Sequence, residues 1–265
     1  MPDFRVYCDT PQGGAGAIVL DADESHHLIT VNRAQAGQPV VAFDGRGSEW
    51  HCVLEATERR AARLRILQHR QAPHPLCRIT LAQAVPLGAG MEGIIRKATE
   101  IGTSRIIPLE TERTQIHLDG DRVERKAAKW RTTALEAAKQ CGNPWLPRID
   151  PIRPYADFLS QEAGAGAGLR LVASLRPGAR PLKAVLASRR QAANPQGPAT
   201  AHAWGSPIQV IWLVGPEGDF TPAELDRAQQ HGFLPVTLGP LVLRCETAAL
   251  YVLSVTTHEL GLPEA

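Results

Sequence analysis

Arg244 and Glu246 stand two residues apart, between an apolar run of strand type (Leu234 to Leu238) and an almost wholly apolar helical run. Two opposite charges at the head of such a helix are costly unless they are solvated or used. A carboxylate there can accept a proton, and a guanidinium can balance a developing anion or clamp a phosphate. Glu246 has a second reading as a negative charge favoured by the helix N-terminus, and the residues alone leave both open.

A second loop, Gly215-Pro216-Glu217-Gly218-Asp219-Phe220, follows the strand-type run Ile208 to Val214 and precedes a helical run, Thr221 to His231. Gly and Pro let the backbone turn sharply and approach a bound molecule. Strand ends of this kind carry ligands in α/β folds. Taken alone, the loop also reads as an ordinary connection, with Thr221 as N-cap, Pro222 at the first helical position and Glu224 closing a capping box. Glu217 is the second candidate base.

The elements that must position these loops follow from periodicity. Short strands are predicted at Ala17 to Leu20, Gln38 to Phe43, Glu49 to Glu55 and Arg63 to Leu67, with Asp44-Gly45-Arg46-Gly47 as a hairpin turn. The prolines of Gln71-Ala72-Pro73-His74-Pro75 mark a linker, which divides the chain into a small β domain, 1–72, and a larger domain, 73–265. From Arg78 strands and helices alternate: Ile79 to Val85, helix Met91 to Ile101, Arg105 to Leu109, helix Asp121 to Gln140, a strand near Arg148, then Leu169 to Ala173. That order argues for an α/β domain with a mostly parallel sheet, completed by the strands at 208–214 and 234–238. The helix from Glu246 to Leu260 closes the chain, whereas 162–168 and 190–207 read as spacers.

Composition excludes several classes. The 265 residues are 43% hydrophobic and carry a net charge of only +2, so contact with nucleic acid would come from local clustering. The cysteines Cys8, Cys52, Cys77, Cys141 and Cys245 are scattered, suggesting neither a disulfide framework nor a zinc site, and no metal is expected. No run has the length of a membrane span or a signal-peptide core, so a cytoplasmic protein without a membrane partner is expected. A Rossmann-type cofactor site is also rejected, because Gly88-Ala89-Gly90 lacks the required continuation.

The stretch Leu238-Gly239-Pro240-Leu241-Val242-Leu243-Arg244-Cys245-Glu246-Thr247-Ala248, with Gly215-Pro216-Glu217-Gly218 before it, resembles the ribosomal RNA small subunit methyltransferase E family, of the SPOUT class. Glu92-Gly-Ile-Ile-Arg-Lys-Ala-Thr-Glu-Ile-Gly102 is similar to the first helix of that family's methyltransferase domain. Arg5-Val6-Tyr7, His27 to Arg33 and Phe43-Asp44-Gly45 resemble its PUA-like β-barrel. The chain departs from the pattern at Asp219, where a second Gly is common, and at Cys245, where Thr is usual. It also lacks a basic residue before Met91 and has Asn143-Pro144-Trp145 where an Arg follows the Gln.

The resemblance implies a SPOUT-type domain with a trefoil knot and a parallel sheet, preceded by a PUA-like RNA-binding domain. It implies methylation by S-adenosyl-L-methionine of N3 of the uridine at position 1498 of 16S rRNA within the 30S subunit, by a homodimer paired through the methyltransferase domain. Glu246 and Arg244 are the expected catalytic pair. Leu213, Gly215, Glu217, Gly218, Leu238, Gly239, Leu241, Leu243, Thr247 and Ala248 are expected to hold the cofactor, and Arg5, Arg33, Lys97 and Arg113 the RNA. The alternatives are a related SPOUT methyltransferase acting on a ribose 2′-hydroxyl or another base, and a non-catalytic RNA-binding relative.

Overall fold

The computed structural model describes residues 4–9, 16–58, 60–114, 120–162, 168–193 and 207–261. It forms two compact units, 1–74 with 135–146, and 75–134 with 147–265. The segment 135–146 was expected to belong to the larger domain, yet it packs in the first unit.

The first unit is built on β1 (Phe4–Tyr7), β2 (Ala17–Val19), β3 (Pro39–Phe43), β4 (Ser48–Ala56) and β5 (Arg63–Gln71), in the sheet order β1-β3-β4-β5-β2. Alternating inward residues, among them Val6, Ile18, Val40, Cys52, Leu54 and Leu64, form its core. The expected hairpin turn is present: the Asp44 carboxylate accepts the N–H groups of Arg46 and Ser48 at 2.7 and 3.0 Å. Gly47 has φ 96°, and a Cβ there would stand 2.4 Å from the Trp145 ring. Trp145 is thus a packing residue, and it also faces the His74 ring at 4.8 Å between centroids.

The sequence reading passed over two short elements here, β1 and α1 (Ala22–His26), which continues as a π-type turn over His27–Val31. In α1 Asp21 caps the Glu24 N–H, and Glu24 itself is buried. Its carboxylate pairs with Lys139 at 2.5 Å and accepts the Tyr7 N–H at 3.1 Å.

Among the described residues, the second unit holds eight parallel strands. Seven run in the order β11 (Arg180–Pro181), β13 (Leu234–Thr237), β10 (Leu169–Ala173), β12 (Ile208–Val214), β6 (Cys77–Ala84), β7 (Arg105–Glu110) and β8 (Arg148–Ile149), and β9 (Arg153–Pro154) also pairs with β7. The central strands β6 and β12 are largely buried on both faces, as a parallel sheet covered by helices on both sides requires. Ile211 and Leu213 face a layer with Phe158 and Leu159 of α4 (Tyr155–Glu162) and Leu225 and Ala228 of α6 (Pro222–Gln230). Trp212, on the other face of β12, donates its indole N–H to Thr256 at 3.0 Å. Thr256 ends α7 (Cys245–Thr256), which packs beside α2 (Gly90–Ile101).

Helix α2 ends at Gly102 in the left-handed conformation, as its position predicts. Helix α3 covers Gly120–Cys141. Three readings change. Glu162 is not a spacer but a buried residue that pairs with Arg105 at 3.0 Å. Arg190 is not the start of an insertion but lies in α5 (Leu182–Ala193). The last helix stops at Thr256 and continues as a π-type turn, Thr257–Gly261. Residues 163–167 and 194–206, most of the two expected spacers, lie outside the described residues.

Candidate active site

The carboxyl ends of β13, β10 and β12, neighbours in the sheet, feed three loops that enclose a pocket of about 540 Å³. This is the edge at which parallel sheets bind ligands, and a volume suited to a small molecule. The loop after β10 contributes Ala173, Ser174 and Leu175, and the loop after β12 contributes Val214 to Asp219. The third contributes Leu238 and Leu241 to Arg244, and the first turn of α7 adds Cys245, Glu246 and Ala248.

Long-range hydrogen bonds hold the middle loop in place. Gln83, fully buried near the end of β6, donates its amide N–H groups to the carbonyls of Val214 and Gly215 at 3.4 and 3.3 Å. Glu217 accepts the Leu87 N–H at 2.9 Å. The Arg113 guanidinium donates to the Gly218 carbonyl. The predicted capping box at Thr221 and Glu224 is present, and the same Glu224 carboxylate also accepts the Glu112 N–H at 2.9 Å. The loops after β6, β7 and β12 are therefore cross-tied, which fixes the backbone that a ligand would meet.

Among the described residues, three carboxylates, Glu217, Asp219 and Glu246, line the pocket against one guanidinium, Arg244. Arg244 is exposed and Glu246 half-buried. Cys245 is buried and donates its thiol to Glu246 at 3.3 Å. Burial, with the hydrogen bond and charge of Glu246 and the charge of Glu217, pushes that thiol up to about 12, so Cys245 is a neutral donor rather than a nucleophile. Burial also raises the Asp219 carboxyl, against the opposing influence of the Phe220 N–H and Arg113.

The structure brings together most of the sequence-predicted residues: Gly215, Glu217, Gly218, Leu238, Leu241, Leu243, Arg244, Glu246 and Ala248 all line the pocket. Three others do not. Leu213 points to the opposite face of its strand and is fully buried in the helix-covered core. Gly239 is exposed with φ 134°, so its part is the turn itself, and Thr247 projects to solvent from the first turn of α7.

The four predicted RNA contacts also divide. Arg5 is corrected: its side chain is 10% exposed, pairs with Glu49 at 2.9 Å and lies over the Phe43 ring, so it packs the β domain. Arg33 is exposed, with a left-handed φ of 56°. Lys97 is exposed and paired with Glu100, and Arg113 lies at the pocket loop. The sequence reading missed Asp219 and Cys245 as lining residues, although both had stood out as departures, and missed Ala173 to Leu175 altogether.

Comparison with known proteins places the chain. Residues 72–257 match the RNA methyltransferase domain family, and residues 20–67 match the RNA methyltransferase PUA domain family. The ribosomal RNA small subunit methyltransferase E of Mycobacterium bovis is 33% identical over 96% of this chain and 90% of its own length. That of Synechocystis is 31% identical over 95% of this chain and 76% of its own. Among solved structures, a Legionella pneumophila methyltransferase with bound S-adenosylmethionine superposes with a TM-score of 0.82 at 27% identity, covering 97% of this chain and 98% of the other. The small subunit methyltransferase E of Neisseria gonorrhoeae, also bound to S-adenosylmethionine, gives 0.81 at 25% identity over 98% and 99%. The chain belongs to the ribosomal RNA small subunit methyltransferase E family. It is an S-adenosylmethionine-dependent RNA methyltransferase in which a SPOUT-class α/β domain follows a PUA-like β domain along the chain.

Proposed function

We propose that this protein methylates N3 of the uridine at position 1498 of 16S rRNA, with S-adenosylmethionine in the pocket at the ends of β10, β12 and β13. The observation that carries the reading is the presence of Arg244 and Glu246 together on the wall of that pocket. The lining fits the cofactor. Leu238, Leu241 and Leu243 offer an apolar wall for adenine, and three carboxylates against one guanidinium suit a ligand of net positive charge.

When bound, the cofactor supplies a methyl group already activated by its sulfonium. The protein's own residues supply alignment and proton removal. The Glu246 carboxylate accepts the weakly acidic N3 proton, and the Arg244 guanidinium, exposed at the mouth, balances charge on the uracil. Glu217, the second candidate base, holds the Leu87 N–H with one of its oxygens. Arg33, Lys97 and Arg113 contact the RNA, whose natural form is the assembled 30S subunit in the cytoplasm. Two copies pair through the methyltransferase domain, a reading supported by Leu241 and Val242, which are 72% and 79% exposed.

The test is to incubate the protein with unmethylated 30S subunits and labelled cofactor, then to map the modified nucleotide. Label on N3 of that uridine is expected. Label on a ribose or another base would overturn the target, and cofactor binding without transfer would leave a non-catalytic relative.

A further inference from the structure

Asp219 holds a left-handed backbone conformation, which glycine adopts most freely and which Asp and Asn tolerate better than other residues. Its φ is 60°, in the left-handed region, where a glycine would sit without strain. The turn is closed by its own N–H on the Pro216 carbonyl at 2.9 Å, and its Oδ1 accepts the Phe220 N–H at 2.7 Å. That oxygen stands 3.0 Å from where a Cβ on Gly215 would lie, so Gly215 leaves the room the carboxylate fills. The result is a carboxylate fixed on the pocket wall.

Each of the three pocket acids uses one oxygen to accept a hydrogen bond from the protein, and Asp219 alone is held by the amide of its own turn. Glu217 accepts the Leu87 N–H, and Glu246 takes the Cys245 thiol. Asp219 Oδ2 accepts no hydrogen bond among the described residues. Of the charges that act on it, Arg113 already donates to the Gly218 carbonyl, and Glu224 reinforces the negative field.

We propose that Asp219 is a charge-selecting residue of the cofactor pocket, favouring cationic S-adenosylmethionine over S-adenosylhomocysteine, so that the spent cofactor is held less tightly. The proposal rests on the reading of this pocket as the cofactor site. Methyl transfer converts a sulfonium into a neutral thioether and removes one positive charge, while adenine, ribose and amino-acid groups stay the same. A carboxylate in a partly desolvated wall feels that change more strongly than one in bulk water. Asp219 is half-buried on such a wall, and that burial raises its carboxyl. A glycine at 219 would keep the turn and lose the discrimination.

The experiment is calorimetric titration of both ligands into the wild-type protein, Asp219→Asn and Asp219→Gly, with thermal melts of the ligand-free proteins. Asparagine tolerates the left-handed backbone and keeps an acceptor for the Phe220 N–H, so it removes little besides the charge. Affinity for S-adenosylmethionine should fall about three- to tenfold in both variants, the scale of one charged contact. Affinity for S-adenosylhomocysteine should change by less than about twofold, and Asp219→Asn, which keeps the acceptor for the Phe220 N–H, should not melt at a lower temperature than the wild type. Equal losses for the two ligands, or no loss for either, would overturn the proposal. Ala248→Phe fills the pocket, with Leu243→Trp as a second filling variant if the first melts early. Undiminished binding of both ligands by a folded filling variant would instead remove the pocket assignment.

Discussion

In the first unit Arg5 and Glu49 close on each other at 10% and 11% side-chain exposure, and Lys139 closes on Glu24 at 8% and 9%. Around the pocket of the second unit Arg244 is exposed and Glu246 half-buried, and neither joins an ion pair among the described residues. Both regions spend charge near apolar surface, to different ends. A buried pair turns its charges on each other and away from any ligand, whereas an unpaired acid and base on a cavity wall are poised for a third party. Charge type and apolar context are therefore poor guides to recognition until the partner of each charge is known.

The sharpest way to break this contrast is to neutralise one charge in each region and compare rate with stability. Glu246→Gln should lower the single-turnover methylation rate about 100-fold to 10,000-fold, the usual cost of losing a general base. Its melting temperature should stay within about a degree or two, since no ion pair is lost. A near-wild-type rate would reduce Glu246 to a charge at a helix N-terminus. Lys139→Met should do the reverse. It leaves Glu24 buried without its cation, at a cost of about 3–5 kcal/mol, read by urea unfolding. The double variant Glu24→Gln with Lys139→Met should recover part of that loss, because no uncompensated charge remains. If the single variant unfolds like the wild type, the pair is not structural.

Local features were legible in the sequence, and features that depend on sheet order were not. The capping box at Thr221 and Glu224 and the cap at Gly102 follow from spacing and are present. The second bond of Glu224, to Glu112 on the loop after β7, depends on two strands lying close in the fold. Ala173 to Leu175 joined the pocket only because β10 lies between β13 and β12. Leu213 was misplaced because β12 is apolar on both faces, so alternation does not tell which side meets the ligand. Helix α4 was hidden by a run of only eight residues, and β1 by one of four.

Arg5→Ala sharpens the comparison from the stability side. The variant removes the cation over Phe43 and leaves Glu49, also nearly buried, without its partner. A loss of roughly 2–4 kcal/mol is expected, of the same order as for Lys139, because both cations are removed from a nearly buried carboxylate. At temperatures where the variant is folded, affinity for 30S subunits should depend on salt as the wild type does. A shallower salt dependence would return Arg5 to the RNA surface.

Arg33 gives the smallest stability effect and the cleanest contrast with Arg5. Its side chain is exposed and its backbone sits at φ 56°, where glycine is at ease and a long side chain is not. Arg33→Gly should therefore change stability by no more than about 0.5–1 kcal/mol, in the stabilising direction if relief of the backbone outweighs the extra chain entropy. A residue kept there to neutralise a phosphate should show itself in binding. Removing a cation from one phosphate lowers the slope of log affinity against log salt by about one. Arg33→Gly should produce that change on 30S subunits while cofactor affinity, measured separately by calorimetry, stays the same. Arg33→Lys, which keeps the charge but not the planar donors, should restore most of the slope. If the slope is unchanged in Arg33→Gly, the strained arginine does not touch a phosphate, and the search for the docking surface of the β domain moves to other exposed basic residues such as Arg63 and Arg65, both paired with Glu55.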